Sequence, residues 1–237
     1  MKTYIWTLPS RLSHWLMAFG FAIAYILSDF ESFQNYHFAF GILVGFLAFF
    51  RLLFGFFGPK YSHFRDFPIG FKNQIEFAKT FFTNSKVYAG HNPAASMIMI
   101  GIFITAIVTS ISGYLLYGTE NAVFNLGYKA HFFKEIHEVE ANIFLVLVIL
   151  HLLGTIADTV FHSKNGTLKS IFTGYKSVDA ENAQLSSAHK IFSILWFIVP
   201  FIFFYLAYNF PINEKENEKN KNQIENIEKG EDEEDDD

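Results

Sequence analysis

The sequence predicts an all-α integral membrane protein: a four-helix bundle plus a fifth transmembrane helix. Three observations predict it. Hydrophobic residues make up 51% of the 237 positions, Phe alone 31 of them, and mean hydropathy is positive. The apolar residues come in long blocks, as membrane spans require. Lys and Arg crowd into alternate connections between those blocks, which gives the blocks a consistent direction across a bilayer.

A spanning helix needs about 20 mostly apolar residues, and five blocks meet or approach that length. The first, His14 to Ser28, is short. Only Asp29 and Glu31 follow it, with no small-x-small cleavage site, so it reads as a transmembrane helix and not as a cleaved leader. The second runs from Tyr36 to Phe57 and the third from Ala94 to Tyr117, with Pro59 and Pro93 as breakers just outside them. The fourth spans Ile136 to Val160 and the fifth Ala188 to Tyr208.

Orientation follows from the basic residues. Lys2 and Arg11 precede helix one. Lys60, Arg65, Lys72, Lys79 and Lys86 fill the second connection, and Lys164, Lys169 and Lys176 the fourth. The opposite loops hold only Lys129 and Lys134. The N-terminus is therefore expected in the cytoplasm and the C-terminus outside. In the second connection Phe71, Ile75, Ala78 and Phe82 recur at helical spacing opposite Lys72, Asn73, Glu76 and Lys79. That pattern suits a short helix on the inner surface or an ordinary helix packed on protein. From Asn213 the chain turns to Glu, Lys, Asn and Asp and ends GEDEEDDD, which reads as a disordered, solvated tail. Attraction of a basic partner is the alternative. The tail also carries most of the acidity behind the net charge of −5. There is no Cys, which excludes covalent haem through CxxCH, thiolate-ligated iron–sulfur clusters and disulfides.

Four histidines carry the chemistry. Imidazole sits poorly in hydrocarbon, so a histidine there is a functional candidate with a partner to be named. His137 and His151 lie fourteen residues apart on helix four, which leaves them about 40° apart on one face and about 21 Å apart along the axis. Helix one begins at the inner side with His14, and helix two at the outer side with His37. Depth therefore pairs His14 with His151 and His37 with His137, as two bis-histidine haems b would need. Ala18, Phe21, Ala22 and Tyr25 share the His14 face. Gly41, Gly45 and Gly154 sit near ligating positions, where small residues admit a flat ring or a neighbouring helix. Arg51, fourteen residues after His37, and Arg11 can each pair with a haem propionate or snorkel to headgroups. His63, His131, His162 and His189 fall in loops or at helix ends and read as ordinary.

Two other classes fit the pattern less well. A non-haem metalloenzyme needs dense histidine boxes, and HEVEA at His137 has no second His at the zincin spacing. A transporter would show broken helices with paired polar residues, leaving a non-catalytic anchor as the remaining alternative.

The residues also resemble a known family, the bacterial cytochrome b561 and nickel–iron hydrogenase b-type cytochrome family. The matching strings are RLSHWLMAFGF from Arg11, RLLFGFFG from Arg51, and GHNPAASMIMIGIFITAIVTSISGYLLY from Gly90. HEVEANIFLVLVILHLLG from His137 and FTGYK from Phe172 complete the set, which covers about residues 5 to 178. The resemblance implies a four-helix bundle over residues 1–178 that holds non-covalent haem b and exchanges electrons with menaquinone or ubiquinone. His14, His37, His137 and His151 match the family's axial ligands. It also implies a periplasmic partner, either a nickel–iron hydrogenase or a c-type cytochrome, and residence in the cytoplasmic membrane. The helix within 179–210 and the tail 211–237 depart from that core. His91 and Asn92, just before helix three at the inner boundary, are the candidate quinone contacts, through proton exchange and an amide–carbonyl bond. Capping of helix three is their alternative role.

Overall fold

A computed structural model describes residues 2–83, 87–121, 123, 126 and 129–210. The acidic tail expected from residue 211 lies outside the described residues.

The fold is a helical membrane bundle. Helix α1 spans Leu8–Leu27, α2 Gln34–Phe57, α3 Phe71–Thr80, α4 Pro93–Glu120, α5 Lys129–Phe161, α6 Thr167–Thr173 and α7 Ser187–Tyr208. Four segments are long and apolar enough to cross a membrane: Glu31–Phe57, which contains α2, and helices α4, α5 and α7. Helix α1 has twenty residues, about 30 Å at 1.5 Å per residue. Its first two turns carry Arg11 and His14, which dilute its apolar character.

Several helices start earlier or end later than the apolar blocks suggest. Helix α1 begins six residues before His14, with Pro9 in its first turn, where a missing N–H costs nothing. Pro93 is the first residue of α4 and not a breaker outside it, for the same reason. Helix α5 has 33 residues, about 50 Å, more than the roughly 30 Å of hydrocarbon. Its first turns leave the apolar zone, and His131 there lies 3.5 Å from Glu135.

Helix α2 is the centre of the bundle. It packs against α1, α4 and α7, and α4 packs against α5. Leu43, Leu47 and Phe54 of α2 enclose Trp196 of α7, whose Nε1 donates to the Leu47 carbonyl at 3.2 Å. Phe46 stacks on Phe203 at 4.0 Å. On the α4 side a Cβ at Gly45 would overlap Ser110, so Gly45 serves a helix–helix contact. At the start of α7, Ser186 and His189 form a reciprocal cap, and His189 Nε2 lies 2.8 Å from the Phe57 carbonyl.

Helices α1 and α5 are not among the closely packed pairs. Side chains bridge them instead. Phe21 meets Phe144 at 4.3 Å between ring centroids. Seven residues back along α1 and seven onward along α5, His14 faces His151. This antiparallel register leaves a seam wide enough for side chains to face across it.

The basic connections gather at the His14–His151 end. Strand β1 (Thr3–Tyr4) pairs antiparallel with β2 (Tyr175–Lys176). Ile5, Tyr61, Val178 and Ala183 form a small core beneath the pair. Gly174 makes the pairing possible. Its φ is +88°, and a Cβ there would lie 2.5 Å from the Tyr4 ring and 2.9 Å from the Trp6 carbonyl. Helix α3 forms where the sequence places it. Its Phe77 packs on Phe81 and Tyr88, while Phe71 is 80% exposed.

Candidate functional site

The structure brings the four membrane histidines together in two pairs. His14 and His151 have ring centroids 6.2 Å apart, and His37 and His137 6.0 Å apart. A metal–imidazole bond is about 2 Å and a ring nitrogen lies about 1.2 Å from its ring centre. Two imidazoles that share one metal ion between them would therefore have centroids about 6.4 Å apart. Both pairs are spaced so that they could hold a metal-centred group between their rings.

The His37–His137 pair is held from behind. His37 Nδ1 lies 2.8 Å from the Ala24 carbonyl and His137 Nδ1 2.9 Å from the Thr109 carbonyl, with Ser112 Oγ at 3.4 Å. A carbonyl only accepts, so both rings carry their proton on Nδ1, which leaves Nε2 as the acceptor nitrogen of each ring. Gly113 makes room for this. A Cβ there would lie 2.8 Å from His137 Cε1 and 3.0 Å from Nδ1. The His14–His151 pair is less anchored: His14 Nδ1 is buried with no hydrogen-bond partner among the described residues. A methyl group at Gly41 or Gly154 would meet no protein atom within 4 Å.

Arg51 is buried at the end that holds His14 and His151. Its Nη1 donates to the Ser62 carbonyl at 3.3 Å, and its guanidinium lies 5.3 Å from the Phe103 ring centre. Arg11 donates to the Phe172 carbonyl, and its buried Nε has no partner among the described residues. His91 sits between Trp6 at 4.6 Å and Phe67 at 4.8 Å. Desolvation, and then the charges of Arg51 and Lys176, hold its pKa well below the ordinary histidine value. Its buried Nδ1 has no partner among the described residues. Asn92 caps α4, accepting from the Ala95 N–H at 2.8 Å.

The histidines read as ordinary have local partners. His63 Nδ1 accepts from the Arg65 N–H at 3.1 Å. His162 lies 3.0 Å from Asp158 and 2.9 Å from the Phe81 carbonyl. Two residues of this region have no clear signal in the sequence. Gly113 is legible there only as one small residue in ISGY. Lys176 counts there as a surface charge, yet it is 5% exposed. Burial pushes its pKa down to about 8, against a smaller opposing pull from Asp158.

The family profile described as prokaryotic cytochrome b561 matches residues 5–174, which include all four histidines and stop before α7. Neither the curated proteins nor the solved structures compared with the chain contain a match. With most of its length matched, the chain belongs to the prokaryotic cytochrome b561 family and is a transmembrane b-type cytochrome of electron transfer.

Proposed function

We propose that this cytochrome carries electrons between the membrane quinone pool and a periplasmic redox partner through two non-covalent haem b groups. His14 with His151 hold one, and His37 with His137 hold the other. The observation that supports this reading is that α5 presents two histidines fourteen residues apart, each beside a histidine of another helix, His151 by His14 of α1 at 6.2 Å and His137 by His37 of α2 at 6.0 Å. Bound haem supplies reversible one-electron exchange between ferric and ferrous iron.

The rest falls to this chain's own residues. The backbone carbonyls of Ala24 and Thr109 fix the tautomer and direction of the outer imidazoles. Phe21 and Phe144 close the seam midway and keep lipid and water out. Arg51 and Arg11 supply positive charge for propionates at the inner end. His91 and Asn92 form the quinone contact there. The His91 Nδ1, buried without a partner among the described residues, is available to a quinol hydroxyl or a quinone carbonyl. Asn92 Oδ1 is engaged in capping, which leaves its amide NH2 to meet a quinone carbonyl.

On this reading the protein lies in the cytoplasmic membrane with its N-terminus inside and its acidic tail in the periplasm. Its partner is a nickel–iron hydrogenase or a c-type cytochrome. The test is haem reduction by a menaquinol or ubiquinol analogue in vesicles. The wild type should reduce within the dead time of mixing or shortly after. His91→Ala and Asn92→Ala, retaining both haems, should slow it. Unchanged rates and inhibitor binding in both variants would put the quinone at the outer haem.

A further inference from the structure

The end that holds His14 and His151 also buries two cations. Arg51 is 6% exposed and Lys176 5%. Neither belongs to an ion pair among the described residues. The guanidinium offers five donors and has one oxygen partner among the described residues, the Ser62 carbonyl. Lys176 Nζ donates to the Gly90 carbonyl at 2.9 Å, with the Tyr88 carbonyl at 3.5 Å, and lies 5.6 Å over the Trp6 ring. Among the described residues Asp158 is the acid that acts on Lys176, and it is already engaged with His162 at 3.0 Å.

The cations adjoin the histidine pair. His91 stacks beside Trp6, which lies under Lys176, and it is within electrostatic reach of Arg51, Lys176, His151 and His14. Lys176 is also held in place by long-range structure. It sits in β2, paired with Thr3 in β1, just after the left-handed Gly174 turn. Thr3 Oγ1 donates to the Val178 carbonyl at 2.6 Å, and the Ala183 N–H donates to the Tyr4 carbonyl at 2.7 Å. A buried charge without a counter-charge is costly unless a ligand of opposite sign completes it. A fold that buries two cations beside one ligand pair is built for an anion at that spot.

We propose that Lys176, together with Arg51, binds the propionate carboxylates of the haem held between His14 and His151. This rests on the reading of that pair as haem ligands. The N-terminal strand then has a purpose, since pairing with β2 carries Lys176 from the surface to the haem edge. A lipid phosphate would have to reach an ammonium that is only 5% exposed and already donates to the Gly90 carbonyl.

The experiment is an equilibrium redox titration of the full chain, with the inner haem assigned as the signal lost in His151→Ala. Lys176→Gln removes a positive charge that favours the ferrous state, so the inner haem's midpoint should shift downward while the outer one stays. Lys60→Gln, at an exposed ion pair, should move neither. Lys176→Arg keeps the charge and is the variant expected to fold in any case. It should preserve the inner midpoint yet shift the inner propionate bending band in resonance Raman spectra. An unmoved inner midpoint in Lys176→Gln, an unmoved band in Lys176→Arg, or a shift confined to the outer haem would each overturn the proposal. A chain that binds no haem at all would contradict the functional reading instead, so the two failures are distinguishable.

Discussion

Gly113→Ala tests the construction of the outer pair. The added Cβ would lie 2.8 Å from His137 Cε1 and 3.0 Å from Nδ1, where an ordinary contact needs at least 3.4 Å. The ring must retreat by about half an ångström, and such overpacking costs about 1–3 kcal/mol. Retreat also stretches the 2.9 Å bond from Nδ1 to the Thr109 carbonyl, whose net worth is about 1 kcal/mol. The two together come to about 2–4 kcal/mol, or about 30- to 700-fold in affinity at 1.4 kcal/mol per tenfold. The assay is transfer of haem to an excess of a soluble apoprotein acceptor, followed in the visible bands of the two haems. The outer haem of Gly113→Ala should leave far more readily, with the inner haem unchanged. Gly41→Ala introduces no protein clash, so any haem loss there reports the macrocycle itself. Outer-haem transfer at the wild-type rate in Gly113→Ala would refute the reasoning.

Two further outcomes are expected. His151→Ala should remove the inner haem and spare the outer one, and His37→Ala the reverse, read by separate redox potentials; a variant that keeps both haems would strike that ligand from the set. His91 should make stability pH-dependent: its folded pKa lies well below 6.5, chiefly by desolvation, so its contribution is intact above about pH 6.5 and is lost as pH falls. Thermal unfolding in detergent between about pH 7 and pH 5 should therefore show a steeper decline in wild type than in His91→Gln, and equal slopes would contradict this.

Much of this was legible in the sequence because membrane helices obey two simple constraints. Apolar blocks near 20 residues mark the spans, and the fourteen-residue spacing of His137 and His151 converts directly to one face and two depths. Helix ends were less legible. Hydropathy sees where hydrocarbon stops, not where hydrogen bonding stops, so the polar start of α5 and the Arg11 turn of α1 fell outside the apolar blocks. Lys176 was invisible for a different reason. Its burial depends on a strand pairing with Thr3 across nearly the whole chain, and no local pattern announces that. Gly113 likewise gains its meaning from a ring on another helix.

The most direct test of the central claim is haem stoichiometry. A pyridine haemochrome assay on the purified full chain, set against protein from quantitative amino-acid analysis, should give about two haems b per polypeptide, both low-spin. A value near one would contradict the two-pair arrangement, and a value near zero would contradict the electron-carrier account altogether.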